Sequence, residues 1–415
     1  MCDESQPLTI YLDSSDISNM ASAADPFWRE ARDALKSAAH SGHTVFRFSV
    51  IHMMEITHLD QRSKPMAVER GRLIKELCGP RCLTFWLDLV LAEGLAHLQG
   101  AKLARRIDAY RDDGRWYPDV SSLELGASER LKGEIASVLK HIDKVMRERG
   151  MPRNDRRRFA RKFLNPSGYL NAAALKELWG SGVDFKGFAS QLHINDTLAS
   201  EDFYLDYLTG RTPAKEFNRQ ILASIGDVPE FIEFFYDRSK QLDGFFASLR
   251  ALGTEIKEIS DRLRQEMKAS AILLGRDAIT GLVRHLVKEN PLQNTRTKIL
   301  QSIGQQEHEA IRRGGVNDDV WQSKVVESPV GSLPSLDTLL IAVLEHIRIS
   351  VLPGSQRKLR ISDAGDLMHL LYAPYVDAIR CDGYTAQVAK SVVTPVGTRV
   401  MSSFKEVLAL VEAAA

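Results

Sequence analysis

Leu8-Thr9-Ile10-Tyr11-Leu12 runs straight into Asp13, and Ser14, Ser15 and Asp16 follow. An apolar run this short, closed by residues that favour turns and helix caps, predicts a buried strand ending at a carboxylate. Helix-like sequence continues to about Ala39, and Ser41-Gly42 breaks it. Thr44 to Val50 (TVFRFSV) is β-branched and aromatic and predicts a second strand. Ser49 is placed to cap a helix carrying Ile51, Met54, Glu55 and His58. A further helix, about Met66 to Leu77, stops at Gly79-Pro80, and Cys82 to Trp86 (CLTFW) reads as a third strand. Strand and helix thus alternate over the first hundred residues, the pattern of an α/β layer with parallel pairing.

The texture then changes. From about Leu103 to Val351 the pattern is mostly helical, with long candidate helices at Ser128 to Arg149 and from Pro229 to about Leu274. Gly314 to Pro334 is polar and contains Gly and Pro, so it reads as a loop or linker. The α/β texture returns at the end. Helices are expected at Leu336 to Val351, Ser362 to Tyr372 and Ser403 to Glu412. Strands are expected at Ala378 to Cys381, ending at Asp382, and within Val392 to Val400. The expected organisation is a parallel-sheet domain built from residues 1–100 and 336–415, with a large α-helical insertion over 101–335.

Bulk composition narrows the function less. The 415 residues are 44% hydrophobic and 26% charged, enough apolar material for a sizeable core. Net charge is +1, so a nucleic-acid partner has to be met by a local basic surface. Cys78 and Cys82 have a C-x3-C spacing with no second Cys or His pair nearby, which argues for free thiols rather than zinc. No apolar stretch reaches the roughly 20 residues of a membrane span, and the acidic, polar N-terminus is unlike a signal peptide. The expectation is a cytoplasmic protein without a membrane partner. There is no glycine-rich phosphate loop, no G-x-S-x-G and no H-E-x-x-H, which argues against nucleotide hydrolysis, serine hydrolase and zinc protease chemistry.

The acidic residues carry the chemistry. Asp13 and Asp382 each directly follow an expected strand, and in an open α/β sheet that edge is where ligands bind. Glu55 sits early on the helix after the second strand, and Asp366 lies in the first turns of a later helix with His369 three residues on. Carboxylates that converge are tolerable only when cations neutralise them, and hard divalent ions take oxygen ligands. Asp363 and Asp377 are weaker candidates beside Asp366 and Asp382. His52, His58 and His369 surround the acids and are candidates for proton transfer.

The runs YLDSSDIS, FSVIHMMEITH and SDAGDLMHLLYAPYVDAIRCD resemble the motifs of PIN-like nuclease domains. The resemblance covers roughly residues 7–90 and 336–415 and leaves the middle unmatched. It implies that Asp13, Glu55, Asp366 and Asp382 hold Mg²⁺ or Mn²⁺, with Asp363 and Asp377 able to substitute for the latter two. It further implies a metal-dependent endoribonuclease, of the toxin, defence or RNA-processing kind. The large insertion departs from the compact family pattern, and so does Arg380-Cys381 before the last acid.

A basic cluster lies in the insertion: Arg147, Arg149, Arg153, Arg156, Arg157, Arg158, Arg161 and Lys162, with Phe159 and Phe163 interleaved. Such clusters bind phosphate backbones, and aromatics can stack on unpaired bases. Arg357, Lys358 and Arg360 form a second basic group before Asp363. The expected partner is nucleic acid, RNA ahead of DNA, with an oligomer or a protein partner formed through the insertion as a further expectation. The rival expectations are a non-catalytic PIN-like scaffold that binds a protein through its long helices, and a DNA nuclease with the same acidic site.

Overall fold

Four short parallel strands, two from each end of the chain, form the sheet that positions the acidic residues. The computed structural model describes residues 7–22, 24–57, 60–99, 109–117, 127–179, 201–233, 291–306, 316–351, 362–393 and 397–414, with isolated positions between them. The long helix expected from Pro229 lies mostly outside these residues, as do His58, Arg357 and Lys358.

Strand β1 (Leu8–Tyr11) leads into helices α1 (Ser14–Ser22) and α2 (Pro26–Ser41). Asp25 starts α2 by accepting the Phe27 N–H at 2.8 Å, with Pro26 at the first helical position. Gly42 ends it with φ 79°, a left-handed conformation that an L side chain would resist. Strand β2 (Thr44–Arg47) follows, then α3 (Val50–Ile56) and α4 (Lys64–Cys78). Ser49 caps α3 as expected: its Oγ accepts the Ile51 N–H at 3.2 Å, and its own N–H goes to His52 Nδ1 at 3.2 Å.

The third expected strand is reduced to β3 (Cys82–Leu83). It touches the main sheet by one parallel bridge, Cys82 to Phe48, and pairs antiparallel with β4 (Tyr110–Arg111). It cannot run on to Trp86, because Trp86 opens helix α5 (Trp86–Leu98).

The chain divides into two compact units, one of residues 1–118 with 235–415 and one of residues 119–234. In the second unit the described elements are α6 (Ala127–Glu148), α7 (Arg153–Phe163), α8 (Ala172–Trp179), α9 (Glu201–Leu208) and α10 (Ala214–Ile225). Leu170, Ala174, Leu175 and Leu205 form a buried cluster in it, with Ile135, Phe163 and Leu208 packed around them.

The first unit resumes with α11 (Pro291–Gln306), α12 (Pro334–Val351) and α13 (Asp363–His369), which tightens into a 3₁₀ turn over Leu370–Tyr375. Then come β5 (Ala378–Arg380), α14 (Gly383–Val393), β6 (Arg399–Met401) and α15 (Phe404–Ala414). The sheet order is β2-β1-β5-β6. This is the α/β parallel sheet from both chain ends, with many helices between, that the sequence predicts. No described helix is long and apolar enough to cross a membrane.

The stretch Gly314 to Pro334, expected as a linker, is instead partly core. Trp321, Val325 and Val326 are buried with Val90, Leu300 and Leu336. The Trp321 indole lies where a Cβ on Gly94 or Gly304 would stand, and its Nε1 donates to the Leu300 carbonyl at 3.1 Å. Two glycines far apart in sequence make that slot, so local polarity gave no sign of it.

Glu93 on α5 ties α12 and the 3₁₀ turn together. Fully buried, its Oε1 accepts the Ser335 N–H at 2.8 Å and a short hydrogen bond from the Tyr375 hydroxyl. Burial pushes its carboxyl from the ordinary 4.5 up to about 7. The folded state therefore keeps a proton that the unfolded state has lost, and stability falls as pH rises between those values. Glu93→Gln is expected to flatten that fall in Tm between pH 4.5 and 7. An unchanged slope would show that Glu93 ionises alike in both states.

Candidate functional site

The sheet has a switch point between its two central strands. From β1 the chain moves outward to β2, and from β5 it moves outward the other way to β6. Ligands in open α/β sheets bind in the crevice beyond the carboxyl ends of such a pair. Asp13 lies two residues past β1, and Asp382 lies two residues past β5. Asp13 Oδ1 accepts the Ser15 N–H at 2.7 Å, and Asp382 Oδ1 accepts the Thr385 N–H at 2.6 Å. Each carboxylate thus uses one oxygen to hold the helix start that follows, as caps and Asx turns do.

Glu55 and Asp366 reach the same place from α3 and α13. The Glu55 carboxylate lies over Gly365, where a methyl group would collide with Oε1. Glycine leaves that space directly beside Asp366. Asp366 is partly exposed, and its carboxylate accepts no hydrogen bond among the described residues. Its carboxyl is pushed up to about 7, by burial first, then by the charges of Glu55 and Asp13, with Asp382 adding and His369 opposing. Burial, Asp13, Asp382 and Asp366 likewise raise the buried Cys381 thiol, with Arg380 opposing. Glu55, Asp13 and Asp382 thus all bear on Asp366.

His369 bridges Glu55 and Tyr11. Its Nε2 lies 2.9 Å from Glu55 Oε2, and its Nδ1 lies 2.7 Å from the Tyr11 hydroxyl. Burial opposes its protonation, but the charge and hydrogen bond of Glu55 outweigh burial, helped by Asp13 and Asp366, and hold it above its ordinary value. A protonated ring donates from both nitrogens. With the ring in that form, Tyr11 accepts from His369 and donates its hydroxyl hydrogen to Ser49 Oγ at 2.6 Å. Burial also acts to raise Glu55, yet the His369 charge and hydrogen bond leave it below its ordinary value. His52 differs: burial and the His369 charge lower it to about 3, so it is neutral. Its Nδ1 accepts from Ser49 N–H, which leaves Nε2 to donate to the Leu12 carbonyl at 2.9 Å.

Tyr11, Ser49 and Arg380 were not among the expected site residues, and Asp16 was read only as a cap. Asp16 is 1% exposed and lies 3.3 Å from Arg380 Nη2. Burial pushes its carboxyl up to about 7 against the pull of Arg380. One signal for Tyr11 was available: a tyrosine inside an apolar strand needs a partner for its hydroxyl. Asp16 gave no such signal, because its partner is over three hundred residues away.

Two weaker candidates do not join the cluster. Asp377 is exposed and precedes β5, where its Oδ2 accepts the Thr9 N–H at 2.9 Å. Five residues of extended chain separate it from Asp382, about 16 Å at a strand's rise, so it belongs to the opposite edge of the sheet. Asp363 is buried and engaged elsewhere: Oδ2 accepts the Arg360 N–H at 3.0 Å and lies 3.3 Å from His346 Nε2. Arg360 itself is exposed.

In the second unit, Arg153, Arg157, Arg158, Arg161 and Lys162 are exposed on α7. Arg156 is turned inward and paired with Asp143 at 2.6 Å. Phe159 and Phe163 are half-buried, with ring centroids 5.0 Å apart.

The donor set in the crevice is hard oxygen, which suits Mg²⁺ or Mn²⁺. Among the described residues, however, no three His, Cys, Asp or Glu side chains are already arranged to hold a metal ion. Glu55 turns one of its oxygens toward the His369 imidazole. No family model, curated protein or solved structure matches this chain.

Proposed function

We propose that the protein is a divalent-metal-dependent nuclease that hydrolyses phosphodiester bonds, with RNA as its first substrate. The observation that supports this reading is that Asp366 is raised by burial and by the charges of Glu55, Asp13 and Asp382, of which Asp13 and Asp382 each follow a central strand of the parallel sheet. Mg²⁺ or Mn²⁺ would supply Lewis acidity and a water of lowered pKa there. Asp13 and Asp382 present oxygens from fixed helix starts, and Asp366 offers a carboxylate free of other hydrogen bonds. Glu55 is positioned by His369, which is in turn braced by Tyr11 and Ser49. The preference for RNA, and a role in defence, toxicity or RNA processing, rest on the resemblance to PIN-like domains.

A second reading has one observation in its favour. The closed Glu55–His369 contact, with no ready coordination set among the described residues, suits a scaffold that has given up catalysis. Metal dependence separates the two. The purified protein with Mn²⁺ is expected to cleave labelled single-stranded RNA, to stop on chelation and to resume when Mn²⁺ is restored. Its Tm is expected to rise with Mn²⁺. No cleavage together with no Mn²⁺-induced thermal shift would favour the scaffold. A matched DNA strand cleaved equally well would remove the preference for RNA.

A further inference from the structure

The exposed side of α7 carries five cations and one acid, Asp155. Arg153, Arg157 and Arg161 repeat every four residues, and Arg158 and Lys162 form a second row beside them. At 1.5 Å per residue the members of a row are about 6 Å apart, close to twice the roughly 3.4 Å axial spacing of phosphates along one strand. Among the described residues none of the five is ion-paired or hydrogen-bonded through its side chain, whereas Arg156 on the other face is. The apolar side of the helix is already used, since Phe163 packs against the buried cluster of Leu170, Ala174, Leu175 and Leu205.

These features select the partner. A membrane-surface helix needs an apolar face free to enter lipid, and α7 has committed its own to the protein. A protein interface of ordinary strength is anchored by aromatic or aliphatic residues in dry pockets, and the stripe offers none. A polymer of regularly spaced phosphates needs only the charges. Phe159 and Phe163, both half-buried, lie against each other, and Phe163 also packs on the Leu170 cluster.

We propose that this face docks the phosphate backbone of a nucleic-acid strand without reading its sequence. The proposal deepens the nuclease reading by giving its substrate a holding surface, and it rests on that reading for RNA as the strand held.

The test is binding of the full chain to fluorescent single strands of mixed sequence and of uridine alone, in EDTA so that nothing is cut. Five phosphate contacts predict a slope of log K on log salt of about −3.5 for single strands and about −4.5 for duplex. The R157A/R158A/R161A variant is expected to fall to about −1.4 on single strands and to bind roughly 100-fold more weakly at about 0.1 M salt. R157K/R158K/R161K keeps the charges and is expected to bind nearly as the parent does, which separates lost contacts from lost folding. An unchanged slope in the alanine variant would overturn the proposal. So would loss of binding in the lysine variant, a strong preference between the two sequences, or binding to phosphatidylserine vesicles in place of nucleic acid. A protein that binds strands through α7 yet cleaves none would defeat the nuclease reading and leave this proposal standing.

Discussion

Asp366→Asn is expected to lose divalent-dependent cleavage while the metal-free protein becomes more stable. The two effects share one cause. Burial first, and then the charges of Glu55, Asp13 and Asp382, push the Asp366 carboxyl from 3.8 up to about 7. Because the folded value is raised, ionising Asp366 lowers stability as pH climbs through that window, and the whole penalty is present above it. An amide of the same shape removes the repulsion. Tm at pH 8 should rise by roughly 2–4 °C, the change that about 1 kcal/mol produces in a domain of some 200 residues. Cleavage should fall by at least about 100-fold, the upper range for disturbing even an outer support of a metal site. Asp13→Ala should abolish cleavage too, but with the opposite effect on Tm. Asp13 also holds the Ser15 N–H at the start of α1, and losing such a cap costs about 1 kcal/mol. Equal cleavage in either variant would remove that residue from the site. A lower Tm for Asp366→Asn would mean that Asp366 is not held against like charge.

Arg296→Met is expected to be the most destabilising single change outside the site. Arg296 is fully buried on α11, and its guanidinium donates to Asp337 Oδ1 at 2.7 Å, to the Ser328 carbonyl at 2.7 Å and to Ser328 Oγ at 2.8 Å. Asp337 spends its other oxygen on the backbone N–H groups of Gly331 and Leu333, fixing the chain into α12. Removing the arginine leaves a buried carboxylate without its cation and a carbonyl without its donor. Breaking a buried pair from one side costs about 3–5 kcal/mol, whereas replacing both partners by apolar groups is often neutral. Arg296→Met with Asp337→Leu should therefore recover much of what the single change loses. α12 also carries His346 against Asp363 at the base of α13, so the single variant should weaken the site as well. A loss below about 1 kcal/mol, the scale of a surface pair, would show the guanidinium to be replaceable by water.

The strands were legible because buried parallel strands read as continuous apolar runs closed by turn residues. LTIYL and AIRC appear in the sheet within a residue of where they were expected. CLTFW failed because its aromatic pair begins a helix that packs on a distant tryptophan. Within the site, Asp13 and Asp382 were legible from position alone, as residues that follow strands. Asp377 is a weaker candidate by the same local signs, and the strand register places it at the other end of β5. Tyr11, Asp16 and Arg380 were hidden because their partners come from the other end of the chain, and no local pattern carries a contact of that length. The Glu55–His369 contact spans 314 positions. Convergence of the acids is an inference from fold class, while the pairing of Glu55 with His369 is not legible in the sequence.

The central claim is that four carboxylates from both ends of the chain form one divalent-ion site. Anomalous scattering from crystals soaked in Mn²⁺ tests it most directly. The account predicts a Mn²⁺ peak at the switch point within about 2.0–2.4 Å of oxygens from Asp13 and Asp366, with Glu55 or Asp382 completing the contact. A peak absent from that crevice while the Glu55–His369 contact stays closed, or Mn²⁺ bound only elsewhere, would contradict it.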